Sequence, residues 1–195
     1  MKSLPEVSEL RKRFSAGKPF KHVLVRSLIN ERFSELLLSD LKKERFKLKE
    51  SDLFRFKQTD DLKFSKNKTL KSFNNLFSSK DFLNFISEIT EEKLSGKVDM
   101  AGTLYENMDF LLPHDDQLEK RKVAYIYYLT NGFTEKDGGD LVFYNTKGKD
   151  PRKIVKSFIP SWNSLILFEV SPKSFHSVRE ILSDKKRYAI AGWFH

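Results

Sequence analysis

The residues able to do chemistry in this chain cluster in Leu111-Leu112-Pro113-His114-Asp115-Asp116 and reappear downstream as His176 and Arg187. Side chains alternate along a strand, so His114 and Asp116 are expected on one face and Asp115 on the other. A histidine and a carboxylate side by side can hold two adjacent corners of a metal octahedron. A second histidine, His176, arriving from another strand would complete one face and leave three positions open. Two histidines and one carboxylate in that arrangement suit non-haem Fe(II) that binds and activates further ligands. His-x-Asp alone is weak evidence, because short motifs of common residues recur by chance. The ordered set is more specific: His-x-Asp, a distal histidine in a strand-end segment, and an arginine eleven residues further on.

Arg187 opens the last apolar segment, Arg187 to His195. Alternation puts Arg187, Ala189, Ala191 and Trp193 on one face of it. A buried arginine needs an anionic partner, and the two alanines leave room for a small dianion. Tyr128 shares a face with Ala124 and Ile126 in the segment Val123 to Thr130, where its hydroxyl can donate to the same anion. Each residue also has a plainer reading. His114 and Asp116 can be a surface pair after Pro113, and His176 a satisfied hydrogen-bonding histidine. Arg187 can lie exposed on an edge strand, and Tyr128 in the core with its tip in water. His22 and His195 have no partner pattern and read as structural or surface residues.

The elements that must position these groups follow from periodicity. Val7, Leu10 and Phe14 have helical spacing, ended by Gly17 and Pro19. His22 to Arg26 reads as a strand. Asn30 can cap a helix carrying Phe33, Leu36, Leu37 and Leu41. Leu53 to Lys57 alternates as a strand, and two phenylalanine stripes, Leu70 to Phe77 and Phe82 to Ile89 after Ser79, read as helices packed on a core. From Val98 the pattern changes to short strands: Met100 to Met108, Lys122 to Thr130, Leu141 to Tyr144, Ile154 to Ile159, Ser164 to Val170 and Arg187 to His195. Lys136 to Asp140, with Gly138-Gly139, reads as a turn. Helices first and strands after predict a mainly β fold with flanking helices. The expected form is a double-stranded β-helix, or jelly roll, with the N-terminal helices packed on one sheet. Residues 1–195 would make one domain, helix-rich to about residue 97 and a β-helix core over 98–195.

Composition narrows the classes. The chain has 195 residues, of which 39% are hydrophobic, enough for a folded core. It has no cysteine, which excludes disulfides and thiolate sites and fits a reducing compartment. No apolar run is long enough to span a membrane, and the first residues lack the apolar region of a signal peptide. The expected location is cytoplasmic, or nuclear in a eukaryote. The net charge of +9 points either to a nucleic-acid-rich neighbourhood or to scattered, solvated lysines.

With these residues placed, the chain resembles the 2-oxoglutarate- and Fe(II)-dependent prolyl hydroxylases. Ile126 to Leu129 (IYYL), Gly138-Gly139 and Arg187 to Trp193 (RYAIAGW) are similar to the hypoxia-factor prolyl hydroxylases. Ser51 to Lys63, Leu111 to Leu129, Val155 to Leu182 and Gly192 to His195 are closer to the ribosomal prolyl hydroxylase family, over roughly Pro19 to His195. The resemblance implies a double-stranded β-helix with iron on His114, Asp116 and His176. It implies that Arg187 pairs with the distal carboxylate of 2-oxoglutarate, assisted by Tyr128 and lined by Tyr105. It implies hydroxylation of a prolyl residue in a protein, with dioxygen consumed, succinate and carbon dioxide released, and ascorbate as an auxiliary reductant. The substrate implied is a small-subunit ribosomal protein, without direct nucleic-acid binding. Other readings are an oxygenase of nucleic acid or small molecules, and a non-catalytic binding barrel. A lysine-rich substrate loop would require an acidic patch, for which Asp115, Glu119, Asp137 and Asp140 are the candidates. Eukaryotic members of the family carry a second barrel after the segment matching Gly192 to His195.

Overall fold

The structure is a computed structural model that describes residues 6–118, 120–148 and 150–195. Four α-helices lie among the described residues: α1 (Val7–Ser15), α2 (Glu31–Leu41), α3 (Lys68–Phe77) and α4 (Lys80–Thr90). Three start on a side chain that accepts an otherwise unpaired backbone N–H. Asn30 accepts from Phe33, Asn67 from Thr69 and Leu70, and Ser79 from Phe82. Their apolar stripes point inward, with Leu10, Phe14, Leu37, Leu41, Leu70, Phe73, Phe77, Ile86 and Ile89 buried.

The strands form one curled antiparallel sheet: β1 (His22–Arg26), β2 (Lys47–Ser51), β3 (Phe54–Asp61), β4 (Val98–Tyr105), β5 (Phe110–His114), β6 (Val123–Tyr128), β7 (Leu141–Lys147), β8 (Asp150–Phe158), β9 (Ser164–Glu169), β10 (His176–Val178) and β11 (Arg187–Phe194). Their order is β1-β9-β6-β11-β4-β3-β5-β10-β7-β8, with β2 paired to β3. β3 is the corner. Its last residues pair with β4 and its first with β5, so it bends the sheet from one wall to the other. The expectation of a jelly roll with flanking helices is met, although the change in pattern near residue 97 is no boundary in the sheet, since β1 and β3 precede it. β2 escapes sequence reading because Lys47-Leu48-Lys49-Glu50-Ser51 is wholly exposed and exists through its hairpin with β3.

Period-two alternation sorts the first wall into two layers. Tyr125 and Tyr127 of β6, Leu165 and Leu167 of β9, and Ile190 and Phe194 of β11 face outward into one core with the helices. Ala124 and Tyr128, Ile166 and Phe168, and Ala189 face inward into a second cluster with Phe143 and Phe158 from the opposite wall. The helices therefore cover the β1-β9-β6-β11-β4 wall. The clusters that include β7, β8 and β10 contain no helical residue. Tyr127 and Asn163 tie the segment entering α2 to the barrel: the Tyr127 hydroxyl donates to Asn163 Oδ1 at 2.8 Å, and Asn163 Nδ2 donates to the Ile29 carbonyl at 2.7 Å.

Candidate metal and cosubstrate site

β5 and β10 are adjacent, and their register pairs His114 directly with His176. The two rings lie 4.2 Å apart between centroids. Asp116 joins them by a route that alternation does not describe. β5 ends at His114, and Asp116 takes a left-handed backbone conformation with φ 60°. The turn, not a continued strand, brings its carboxylate back over the histidines. His114 Nε2 lies 3.3 Å from Asp116 Oδ1, and His176 Nε2 lies 3.2 Å from Asp116 Oδ2. Asp115 turns away, and its Oδ1 accepts from the Gln117 N–H at 3.2 Å.

The tautomers follow from the partners. His114 Nδ1 lies 3.0 Å from the Leu112 carbonyl and His176 Nδ1 lies 2.9 Å from the Ser174 carbonyl. A carbonyl only accepts, so each Nδ1 carries a proton and each Nε2, the atom left to bind a metal when the ring is neutral, faces Asp116. One ligand atom from each of His114, Asp116 and His176 lies within 4.8 Å of the others. Converging lone pairs repel one another, whereas a divalent cation between them is stabilised, so the donor set fits a metal. The charges agree. Burial works against ionising Asp116, but His176 and His114 outweigh it and hold the carboxyl well below its usual range. Burial disfavours a charged His114, yet the adjacent Asp116 carboxylate outweighs that and its pKa lies above the ordinary value. Burial, reinforced by His114, keeps His176 below it.

Beyond the three donors a cavity of about 100 Å³ runs into the barrel, lined by Phe56, Thr103, Tyr105, Ile126 and Arg187 among others. Arg187 is only 1% exposed. Its Cζ sits 4.9 Å from the Tyr105 ring centroid and 5.1 Å from that of Tyr128. Among the described residues, Arg187 Nε and Nη2 and the Tyr128 hydroxyl are buried without a hydrogen-bond partner. Burial raises the Tyr105 and Tyr128 pKa values, so both remain protonated donors. A fixed cation and a phenol with unused donors fit a carboxylate. Gly139, beside Arg187, makes room for Ile181. Its φ is 71°, and a Cβ there would lie 2.3 Å from Ile181 Cδ1 and 3.4 Å from Arg187 Cδ.

Of the six residues singled out from the sequence, His114, Asp116, His176, Tyr105 and Arg187 line this cavity, and Tyr128 lies behind it against Arg187. The acidic patch does not form as expected. Asp137 is buried, with Lys185 Nζ and the Thr134 backbone N–H and hydroxyl each donating to it at 2.8 Å. Asp140 is buried, accepts from the Ser157 hydroxyl and faces Arg179. Both carboxylates are used inside the fold, and Glu119 lies outside the described residues. His22 and His195 are structural: His22 is enclosed by Phe20, Phe143 and Phe158, and His195 Nε2 lies 2.9 Å from Asp99. Two residues at the site were given no role from the sequence, Arg121 and Trp193. The Trp193 indole N–H donates to Asp116 Oδ2 at 3.0 Å, and the Arg121 guanidinium stacks on that indole.

Comparison with known proteins agrees with this geometry. Residues 100–195 match the model of the 2OG-Fe(II) oxygenase superfamily. The chain is 43% identical to prolyl 3-hydroxylase OGFOD1 of Xenopus laevis and 41% identical to that of Mus musculus, in each case over 91% of this chain. It is 35% identical to prolyl 3,4-dihydroxylase OGFOD1 of Ostreococcus tauri, also over 91% of this chain. It spans about a third of the length of these relatives, 33 to 38%. A crystal structure of a Pseudomonas putida prolyl-4-hydroxylase superposes with TM-score 0.76 at 15% identity, covering 97% of this chain and 98% of that one. A Trichoplax adhaerens prolyl hydroxylase in complex with a hypoxia-inducible-factor peptide superposes with TM-score 0.71 at 17% identity, covering 96% and 86%. At those identities the structural likeness concerns the fold. Residues 100–195 therefore form a 2OG-Fe(II) oxygenase domain, on the curled sheet that these solved structures share.

Proposed function

We propose that this domain hydroxylates a prolyl residue of a protein, at ring carbon 3, in a reaction dependent on Fe(II), 2-oxoglutarate and dioxygen. The observation that carries the reading is the 41 to 43% identity to prolyl 3-hydroxylases over 91% of the chain. His114 Nε2, His176 Nε2 and the Asp116 carboxylate would hold the iron. Arg187 would anchor the distal carboxylate of 2-oxoglutarate, with Tyr128 donating a second hydrogen bond and Tyr105 closing the aromatic wall. Arginine suits this place because its planar fork stays charged and pairs with a carboxylate through two bonds. Ala189 and Ala191, on the Arg187 face of β11, leave the width for a small dianion. Bound there, iron and 2-oxoglutarate supply oxidative decarboxylation by dioxygen to succinate and carbon dioxide and the oxidant for one C–H bond. The chain orients the parts, fixes both histidine tautomers through backbone carbonyls, and keeps bulk water from the inner end of the cavity. Ascorbate would serve to keep the iron ferrous.

The motifs of Val155 to Leu182, which resemble the ribosomal prolyl hydroxylases, support a substrate loop in a small-subunit ribosomal protein and a cytoplasmic or nuclear setting. No described helix is long and apolar enough to cross a membrane. The test is mass spectrometry of that ribosomal protein after incubation with enzyme, iron, 2-oxoglutarate and ascorbate, with succinate measured in parallel. One added oxygen on proline, matched by succinate, is expected. Succinate release coupled to oxidation of a nucleic acid or free amino acid, with the protein untouched, would replace the substrate class and keep the iron site.

A further inference from the structure

We infer that Trp193 is a positioning residue for the Asp116 carboxylate, and that Arg121 latches the loop bearing Asp116 onto the Trp193 indole. The inference rests on the site reading above. It starts from an asymmetry among the three donors. Each histidine is steadied locally by a carbonyl two residues upstream, Leu112 for His114 and Ser174 for His176. Both also stand in paired strands. Asp116 has neither support. It lies past the end of β5 in a left-handed backbone conformation that L-residues seldom adopt without a compensating contact.

Its support comes from 77 residues away in sequence. The Trp193 indole N–H donates to Asp116 Oδ2 at 3.0 Å. Trp193 lies on β11, paired on both sides with β4 and β6, so the indole is fixed to the middle of a wall. Arg121, on the loop that carries Asp116, stacks on the same indole with its Cζ 3.5 Å from the ring centroid. Its Nη1 reaches within 3.9 Å of Asp116 Oδ1, and its side chain is only 14% exposed. A nearly buried guanidinium over an indole face and beside a carboxylate gains from both contacts. Asp116 and Arg121 thus grip one ring from one loop. The two torsions of Asp116 are restrained by a donor that is part of the sheet.

The test is metal binding by the full chain, read without turnover. Metal-free protein is titrated with Co(II), followed by visible absorption, and its melting temperature without metal is recorded in parallel. Trp193→Phe keeps a ring for Arg121 and deletes the N–H. Trp193→Met also lacks the donor and fills the space differently. Loss of a partner behind a metal ligand typically weakens affinity about 10- to 100-fold. That loss is expected in both variants, with metal-free melting within a few degrees of the parent and an altered Co(II) spectrum. Parent-like Co(II) affinity in either folded variant would overturn the inference and leave the site standing. A fall in affinity accompanied by collapse of metal-free melting in both would assign Trp193 to the packing and overturn it too. His176→Ala separates the underlying reading: if it binds Co(II) like the parent, the metal site itself is wrong and the inference goes with it.

Discussion

Replacing Arg187 by methionine should move stability and ligand binding in opposite directions. Arg187 is 1% exposed, and its Nε and Nη2 have no partner among the described residues. A buried cation with unpaired donors costs free energy, and an apolar residue of similar length removes that cost. Metal-free Arg187→Met should therefore melt at or above the parent's temperature. Binding should behave otherwise. Losing one partner of a desolvated, charged hydrogen bond costs about 2–5 kcal/mol, which is roughly 30-fold to several thousand-fold in dissociation constant. A ligand at about a hundred times its dissociation constant stabilises the folded state by about 2.7 kcal/mol. That is several degrees of melting temperature for a domain of this size. The assay is a thermal melt with Mn(II), with and without saturating 2-oxoglutarate. The parent should shift upward and Arg187→Met should not. A variant that keeps the parent's 2-oxoglutarate shift would refute the assignment of Arg187 as the anchor. A variant much less stable without ligand would refute the account of the unpaired guanidinium.

Other perturbations reach other parts of the structure. His114→Ala and Asp116→Ala should each abolish metal-dependent succinate formation while the chain still folds. Asp115→Ala should stay close to the parent, because the Asp115 carboxylate accepts from Gln117 in its own turn and points away from the histidines; equal losses at Asp115 and Asp116 would contradict the turn geometry. Burial keeps the His22 pKa below its ordinary value, with Lys156 adding to the effect and the Phe20 carbonyl opposing it. The unfolded chain then takes up the proton more readily, so His22 costs stability as pH falls through the unfolded value near 6.5 and the loss levels off below the folded value. His22→Asn should show a smaller drop in urea midpoint than the parent between about pH 7.5 and about pH 5.5; an unchanged drop would exclude His22 as a source. Asp137→Asn should lower the melting temperature by weakening the contacts to Thr134 and Lys185, and should leave the salt dependence of peptide turnover unchanged. A salt-dependent rise in KM would return Asp137 to the substrate surface.

Much of this molecule was legible in order of residues alone, and the exceptions have physical causes. Caps at Asn30 and Ser79 marked helix starts because a side-chain acceptor before an apolar stripe has few other uses. Alternation from Arg187 placed Ala189, Ala191 and Trp193 on the inner face of β11. It gave the right side for Asp116 by the wrong route, because a single left-handed residue returns a side chain to the same region that strand alternation would reach, and nothing in Asp-Asp-Gln announces it. β2 was invisible because its stability comes from a hairpin partner and not from its own apolar pattern. The proposed acidic patch failed for a related reason. Composition shows that Asp137 and Asp140 are charged, but only the fold shows that Lys185 and Arg179 face them. Trp193 was placed on the correct face without a task, since the task needs Asp116 and Arg121 to arrive from a loop.

Among the described residues, the helices brace one wall of the barrel and the core clusters of the other contain no helical residue. Two of the three candidate metal donors stand on the other wall, on neighbouring strands paired at His114 and His176. An ion held by both residues is thus a cross-brace on the thinner half of the sheet. Local opening free energy there and metal occupancy become a single linked equilibrium. The domain loaded with metal and the domain stripped of it would then be one fold with two stiffnesses, and the difference would be confined to the wall that borders the reaction.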